Sequence, residues 1–184
     1  DQFDVIVGDL YRPHGAGEGR LYTVEHFSAV WRALRNGGVF CQWLPMYQFT
    51  ERNFRIVAGS FLEAFPAAEV VRANYSSACP VLGLVGFKLA GLDLAHLSSR
   101  CTALRAEGRV DDADMLDPRT IEDLYLGRLD ADKFKNEPLN TLDNALTRDP
   151  REREMRQAVD EPYLEHDAWL EFEQQLKRWL VSAN

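Results

Sequence analysis

The sequence predicts an α/β domain whose sheet begins parallel and ends in a β-hairpin, followed by a helical tail. Three observations carry this reading. The apolar runs at 3–7 and 39–44 are each followed by a segment of helical periodicity. The runs at 68–75 and 81–87 are separated only by a short turn. From Leu92 onward strand-like runs give way to helical and charged sequence.

In chain order, Phe3-Asp4-Val5-Ile6-Val7 reads as a buried parallel strand, closed by Gly8-Asp9. Residues 13–19 hold three glycines and a proline and read as a loop. Thr23 caps a helix with the stripe Phe27, Val30, Trp31 and Leu34, which Asn36-Gly37-Gly38 stops. Residues 39–44 form the second strand, ended by Pro45. Thr50 opens a helix that puts Phe54, Val57, Ala58, Phe61, Leu62 and Phe65 on one face, and Pro66 closes it. Two strand–helix–strand crossovers imply right-handed parallel pairing, and the strands 68–75 and 81–87 are close enough to pair as a hairpin. Helices are expected at 92–107, 118–129 and 162–180, with irregular charged segments at 111–117 and 144–156. The last helix carries Trp169, Phe172, Leu176 and Trp179 and reads as a docking stripe. The division is therefore 1–90 for the sheet domain and 91–184 for a helical extension packing on it.

The net charge of −8 and the absence of a basic stripe argue against a nucleic-acid partner. An acidic surface can steer a cationic ligand, and it equally serves solubility. Cys41, Cys79 and Cys101 are an odd number without a CxxC pair, which argues against a disulfide scaffold and a structural zinc site. No apolar run approaches the ~20 residues that span a bilayer. Asp1-Gln2 runs straight into an apolar strand, so the sequence reads as part of a longer chain, and its exposed first strand is expected to favour self-association.

In open α/β sheets ligands sit beyond the carboxyl ends of the strands. Asp9, the strand end Cys41-Gln42-Trp43 and the turn from Tyr75 to Pro80 all fall there. A carboxylate at position 9 can hold an ammonium group or take its proton. It can also simply tie its own loop by accepting backbone N–H groups.

The ordered segments Phe3 to Leu10, Leu21-Tyr22-Thr23 and Gly37-Gly38-Val39-Phe40-Cys41-Gln42 resemble the spermidine synthases, the polyamine aminopropyltransferases. The wording Leu21 to Phe27 and Cys41 to Gln48 is most similar to bacterial spermidine-synthase-like domains, and Asn140-Thr141-Leu142-Asp143-Asn144 resembles a segment near the family's end. The resemblance implies the C-terminal half of a Rossmann-like, class I methyltransferase-type sheet, an incomplete fragment without the glycine-rich cofactor-binding half, so this stretch alone is expected to bind the nucleoside donor poorly. It implies transfer of an aminopropyl group from decarboxylated S-adenosylmethionine to an amine. The residue spacings predict no metal, and the open edge of the first strand predicts a homo-oligomer. The resemblance also implies a cytoplasmic protein, or one tethered behind an upstream membrane region. Carried over by position, Asp9 is the catalytic carboxylate. Gln42 or Trp43, and Tyr75, bind the amine, while Ala16 and Leu21 line the adenine side of the donor. The family's Asp-x-x-Asp-Pro appears as Asp9-Leu10-Tyr11-Arg12-Pro13, which places a cation where a second carboxylate would hold the far amine. Arg12 is expected to repel a diamine.

Weaker signals have plainer explanations. His14 reads as solvent-exposed, and His26 and His96 as structural. His166 with Asp160, Glu165 and Asp167 lacks a metal-binding spacing. Gly15 to Gly19 lacks the GxGxxG spacing and reads as a flexible loop. Two alternatives stand beside the transferase: a non-catalytic ligand-sensing or interaction module, and a methyltransferase of the same fold.

Overall fold

A computed structural model of the chain describes residues 2–13, 17–89, 91–108, 117–144 and 162–181. The strands β1 (Phe3–Gly8) and β2 (Leu34–Pro45) pair in parallel across the helix α1 (Val24–Ala33). Thr23 caps α1 as expected, its hydroxyl accepting the His26 N–H at 3.3 Å.

The expected stop at Asn36-Gly37-Gly38 falls inside β2 instead. Leu34 is already extended at the end of α1, with ψ 144°, and is fully buried opposite Phe3. Burial against the sheet outweighs its place on the helical stripe. The β1–β2 register slips between Phe3 and Val5, and Gly37, at φ 79°, adopts a backbone angle that costs glycine little. Lys88 closes this corner: its ammonium donates to Leu34 O at 2.7 Å and lies 4.3 Å from the Trp31 ring centre.

α2 (Glu51–Ala64) follows its reading closely. Thr50 caps it, and Phe54, Val57, Ala58, Phe61, Leu62 and Phe65 are all buried. The Phe61 ring lies 5.1 Å from Phe27, 5.8 Å from Phe40 and 4.9 Å from Phe65, so α1, α2 and β2 share one aromatic core.

The five-stranded sheet runs β1-β2-β4-β3-β5, with β3 (Glu69–Arg72) and β4 (Val81–Phe87) forming the expected hairpin and β5 (Tyr125–Arg128) at the far edge. The second crossover does not give a neighbouring parallel strand. β4 lies between β2 and β3 and is antiparallel to both. The short turn dictates that β3 and β4 pair, but not which of them meets β2. The run 68–75 also yields only four strand residues.

The segment read as a helix over 118–129 splits. α4 (Pro118–Leu124) gives way to β5 (Tyr125–Arg128), which pairs with β3. Glu69, 1% exposed, explains the switch: it accepts Tyr125 OH at 2.8 Å and Arg128 Nε at 2.8 Å. Burying that carboxylate requires both donors. Side chains three apart fall on opposite faces of a regular strand, and here the β3–β5 register slips between Val70 and Val71, with Gly127 at φ 135°. α3 (Leu94–Ala106) is capped by Asp93 and tied to the start of α4 by an Arg105–Asp117 ion pair at 2.8 Å. α5 (His166–Trp179) docks its stripe as expected, with Phe172 5.1 Å and Trp179 6.0 Å from Phe54. Of the segments expected to be irregular, 109–116 and 145–161 lie outside the described residues.

One burial expectation is corrected. β1 is an edge strand, and Phe3, Val5 and Val7 are 54–59% exposed on the face away from α1 and α2. Only Ile6 and Gly8 turn toward the core. No helix among the described residues is long and apolar enough to cross a membrane.

Candidate functional site

The carboxyl ends of β1 and β2 lie side by side, with Gly8 paired to Gln42. Parallel pairing thus brings Asp9, the residue after β1, beside the Gln42 side chain. Phe40, Gln42 and Leu44 alternate onto the helix-covered face and are fully buried. Trp43 points to the opposite face, so the sheet separates the two candidates at this strand end.

Gln42 spans the gap between the strands. Its Nε2 donates to Asp9 O and to Trp43 O, both at 3.0 Å. Two carbonyl partners fix which end of the amide is nitrogen. Its Oε1 is left buried with no hydrogen-bond donor among the described residues. A buried amide oxygen without a donor costs about 1–3 kcal/mol unless a ligand or water supplies one. Gly8 makes room for this amide, since a Cβ there would sit 2.2 Å from Gln42 Oε1.

Asp9 is exposed at the strand end. Its Oδ1 accepts the Leu10 N–H at 2.7 Å, the loop-tying bond, and no described donor engages Oδ2. Tyr11 follows, and its carbonyl accepts the Tyr22 hydroxyl at 2.6 Å. Burial raises the Tyr22 hydroxyl well above the ordinary tyrosine value; the Tyr11 bond works against this, and the Glu18 and Asp9 carboxylates add to it. Tyr22 is therefore a neutral donor at any physiological pH.

Arg12 is not a bare cation. Its backbone N–H donates to Glu18 Oε2 at 2.6 Å and its Nη2 to Oε1 at 3.2 Å. Those two bonds, backbone first, hold the Glu18 carboxyl below its ordinary value. The expected repulsion of a cation by Arg12 is correspondingly muted. Opposite charges flanking a glycine loop were the available signal for this pair. Glu18 itself opens a 3-10 turn, Glu18–Tyr22, where a flexible loop was expected. Leu21 sits half-buried in that turn, while His14 and Ala16 lie outside the described residues.

Sequence reasoning missed how Asn140 serves this turn. It is fully buried, and its Nδ2 donates to Gly19 O at 3.3 Å and Tyr22 O at 3.1 Å. Its backbone N–H donates to Ser60 Oγ at 2.8 Å, and its carbonyl accepts the Val24 N–H at 2.9 Å. The 140–144 segment thus clamps the start of α1 from more than a hundred residues away.

Tyr75 lies beyond β3, three strand spacings from β1, or about 14 Å across the sheet. It is 65% exposed, with the Arg72 guanidinium 5.4 Å from its ring centre. The other candidates have structural surroundings. His26 is half-buried against Phe27 and Phe40, and this desolvation lowers its proton affinity. His96 donates its N–H to Asp93, and His166 donates its N–H to Ser77 O as α5 begins. Burial pushes the Cys41 thiol up to about 12, which leaves it inert as a nucleophile. No group of three metal-ligating side chains occurs among the described residues.

No family model matches the chain. A search of curated proteins finds a polyamine aminopropyltransferase of Lachnospira eligens, 30% identical over 89 residues. The chain is similar to a polyamine aminopropyltransferase. The match covers 47% of the chain and 31% of that relative's length, so the chain spans about a third of the relative. It supports a spermidine-synthase-like relationship.

Proposed function

We propose that Asp9 and Gln42 bind a primary amine as the acceptor of an aminopropyl group, with decarboxylated S-adenosylmethionine as donor. The observation that carries this reading is the buried Gln42 Oε1, which lacks a donor among the described residues, next to the Asp9 backbone. An amine N–H supplies that donor, and the open Asp9 Oδ2 holds the same nitrogen. In the transfer, the neutral amine's lone pair forms a bond to the carbon beside the sulfonium. The carbon–sulfur bond breaks, and the thioether leaves uncharged. The proton lost from the ammonium goes to Asp9, which orients the nitrogen in the same contact. Leu21, in the turn anchored by Asn140, faces the donor in this reading, together with Ala16. Gln42 carries the amine contact in preference to Trp43, and Tyr75 has a role only with a long acceptor.

The fold class proposed is the second half of a Rossmann-like sheet, with 91–184 as its extension. The parallel β1-α1-β2 unit and the terminal hairpin support it. One observation favours a rival, non-catalytic ligand-binding role: Asp9 already spends one oxygen on its own loop.

Two readouts separate these, amine binding on this chain and turnover on a chain that includes the cofactor-binding half. Titration with butylamine, followed by NMR at the Gln42 side-chain amide, is expected to show binding that Asp9→Asn weakens. Transfer from the donor to the amine, read as methylthioadenosine release, is expected to fall by about 10²–10⁴ in Asp9→Asn. Binding without turnover in the wild type selects the sensing module. Methyl transfer from S-adenosylmethionine selects the methyltransferase. Absence of amine binding sinks the whole reading.

A further inference from the structure

Resting on that amine-binding reading, we infer that the acceptor carries one ammonium group, with a carboxylate at its far end. The charges around the strand end decide this. Among the described residues no cation pairs with the Asp9 carboxylate, which accepts only the Leu10 N–H. Three residues on, where a second cationic end would lie, Arg12 and Glu18 form a closed pair. The three formal charges leave a single negative, enough for one ammonium. A second ammonium finds no free anion, because Glu18 already accepts two bonds from Arg12.

Arg12, in contrast, has donors to spare. Its side chain is 68% exposed and only Nη2 meets Glu18. The remaining guanidinium N–H groups suit a second carboxylate. Glu18, which holds Arg12, bears on the same small region as Asp9, since both carboxylates act on the Tyr22 hydroxyl that donates to Tyr11 O. The acceptor class is thus an ω-amino acid rather than a diamine. A neutral alkylamine of equal length falls between them.

Binding of 4-aminobutanoate, butylamine and 1,4-diaminobutane to the full chain, measured by calorimetry at low salt, tests this. The wild type is expected to bind 4-aminobutanoate about tenfold more tightly than the diamine, a ratio that one screened charge contact supports. Arg12→Gln erases the preference, and Arg12→Lys retains most of it. Glu18→Gln frees the guanidinium and widens the preference. Circular dichroism verifies that each variant stays folded. A wild type that prefers the diamine, or that binds all three equally, overturns the inference while leaving the amine site standing. So does an unchanged ratio in Arg12→Gln. Failure of all three to bind, with Asp9→Asn without effect, removes the amine site itself and the inference with it.

Discussion

Asn140→Ala is expected to destabilise the protein by about 3 kcal/mol and to loosen the site without touching it. The substitution removes both bonds from Nδ2 to Gly19 O and Tyr22 O. Asn140, Gly19 and Tyr22 are all buried, so the carbonyls lose their donor where water does not readily replace it. The backbone bonds to Ser60 and Val24 survive, which keeps the segment in place. For a chain of this size the loss corresponds to a fall of roughly 10 °C in Tm. Urea unfolding should shift in midpoint with little change in slope. Asn140→Asp is the sharper test. An ionised carboxylate has no hydrogen to donate and faces two carbonyl oxygens, so its loss should exceed that of alanine. Equal stability of Asn140→Ala and wild type would mean that the clamp does not hold the turn.

Gly8→Ala should cost about 2 kcal/mol and abolish amine binding. The added Cβ would lie 2.2 Å from Gln42 Oε1 and 2.7 Å from Cδ, so the amide must move. It has little freedom to do so, being fully buried and pinned by bonds to Asp9 O and Trp43 O. Displacing it strands those carbonyls and takes Oε1 away from the acceptor. Combining Gly8→Ala with Gln42→Ala separates the two effects. The steric conflict vanishes in the pair, so the stability losses should fall short of additive by at least about 1 kcal/mol, whereas binding stays lost. Strict additivity would place the damage in the backbone rather than at Gln42.

The parts of the fold that the sequence made legible are those governed by local chemistry. Thr23 and Thr50 announce helix starts because the cap bond spans only three residues. The stripe from Phe54 to Phe65 repeats at helical spacing and is buried throughout. Leu34 and Tyr125 were misread because each fits a helical pattern, and only a distant partner, Phe3 or Glu69, makes it extended. The site divides the same way. Asp9 and the strand end at Gln42 follow from the rule that ligands gather at strand ends. Their hydrogen bond follows from the parallel register, and the choice of Gln42 over Trp43 depends on which face the helices cover. The closure of Arg12 by Glu18 is a side-chain event across a turn, beyond what residue types alone dictate.

The position of β4 has a consequence for how the chain assembles. β1, α1 and β2 are contiguous, so they can form early from short-range contacts. The other side of β2, however, is reserved for a strand that is made after β3. Until β4 arrives, β2 presents an open row of backbone donors and acceptors. β3 cannot fill it, since β3 is joined to β2 only through β4. The hairpin must therefore add as a unit, and the two strands should become protected from hydrogen exchange together. Separate protection of β3 before β4 in a pulse-labelling experiment would contradict this order. While the β2 row stays open, it is the point at which two partly folded copies would exchange hairpins.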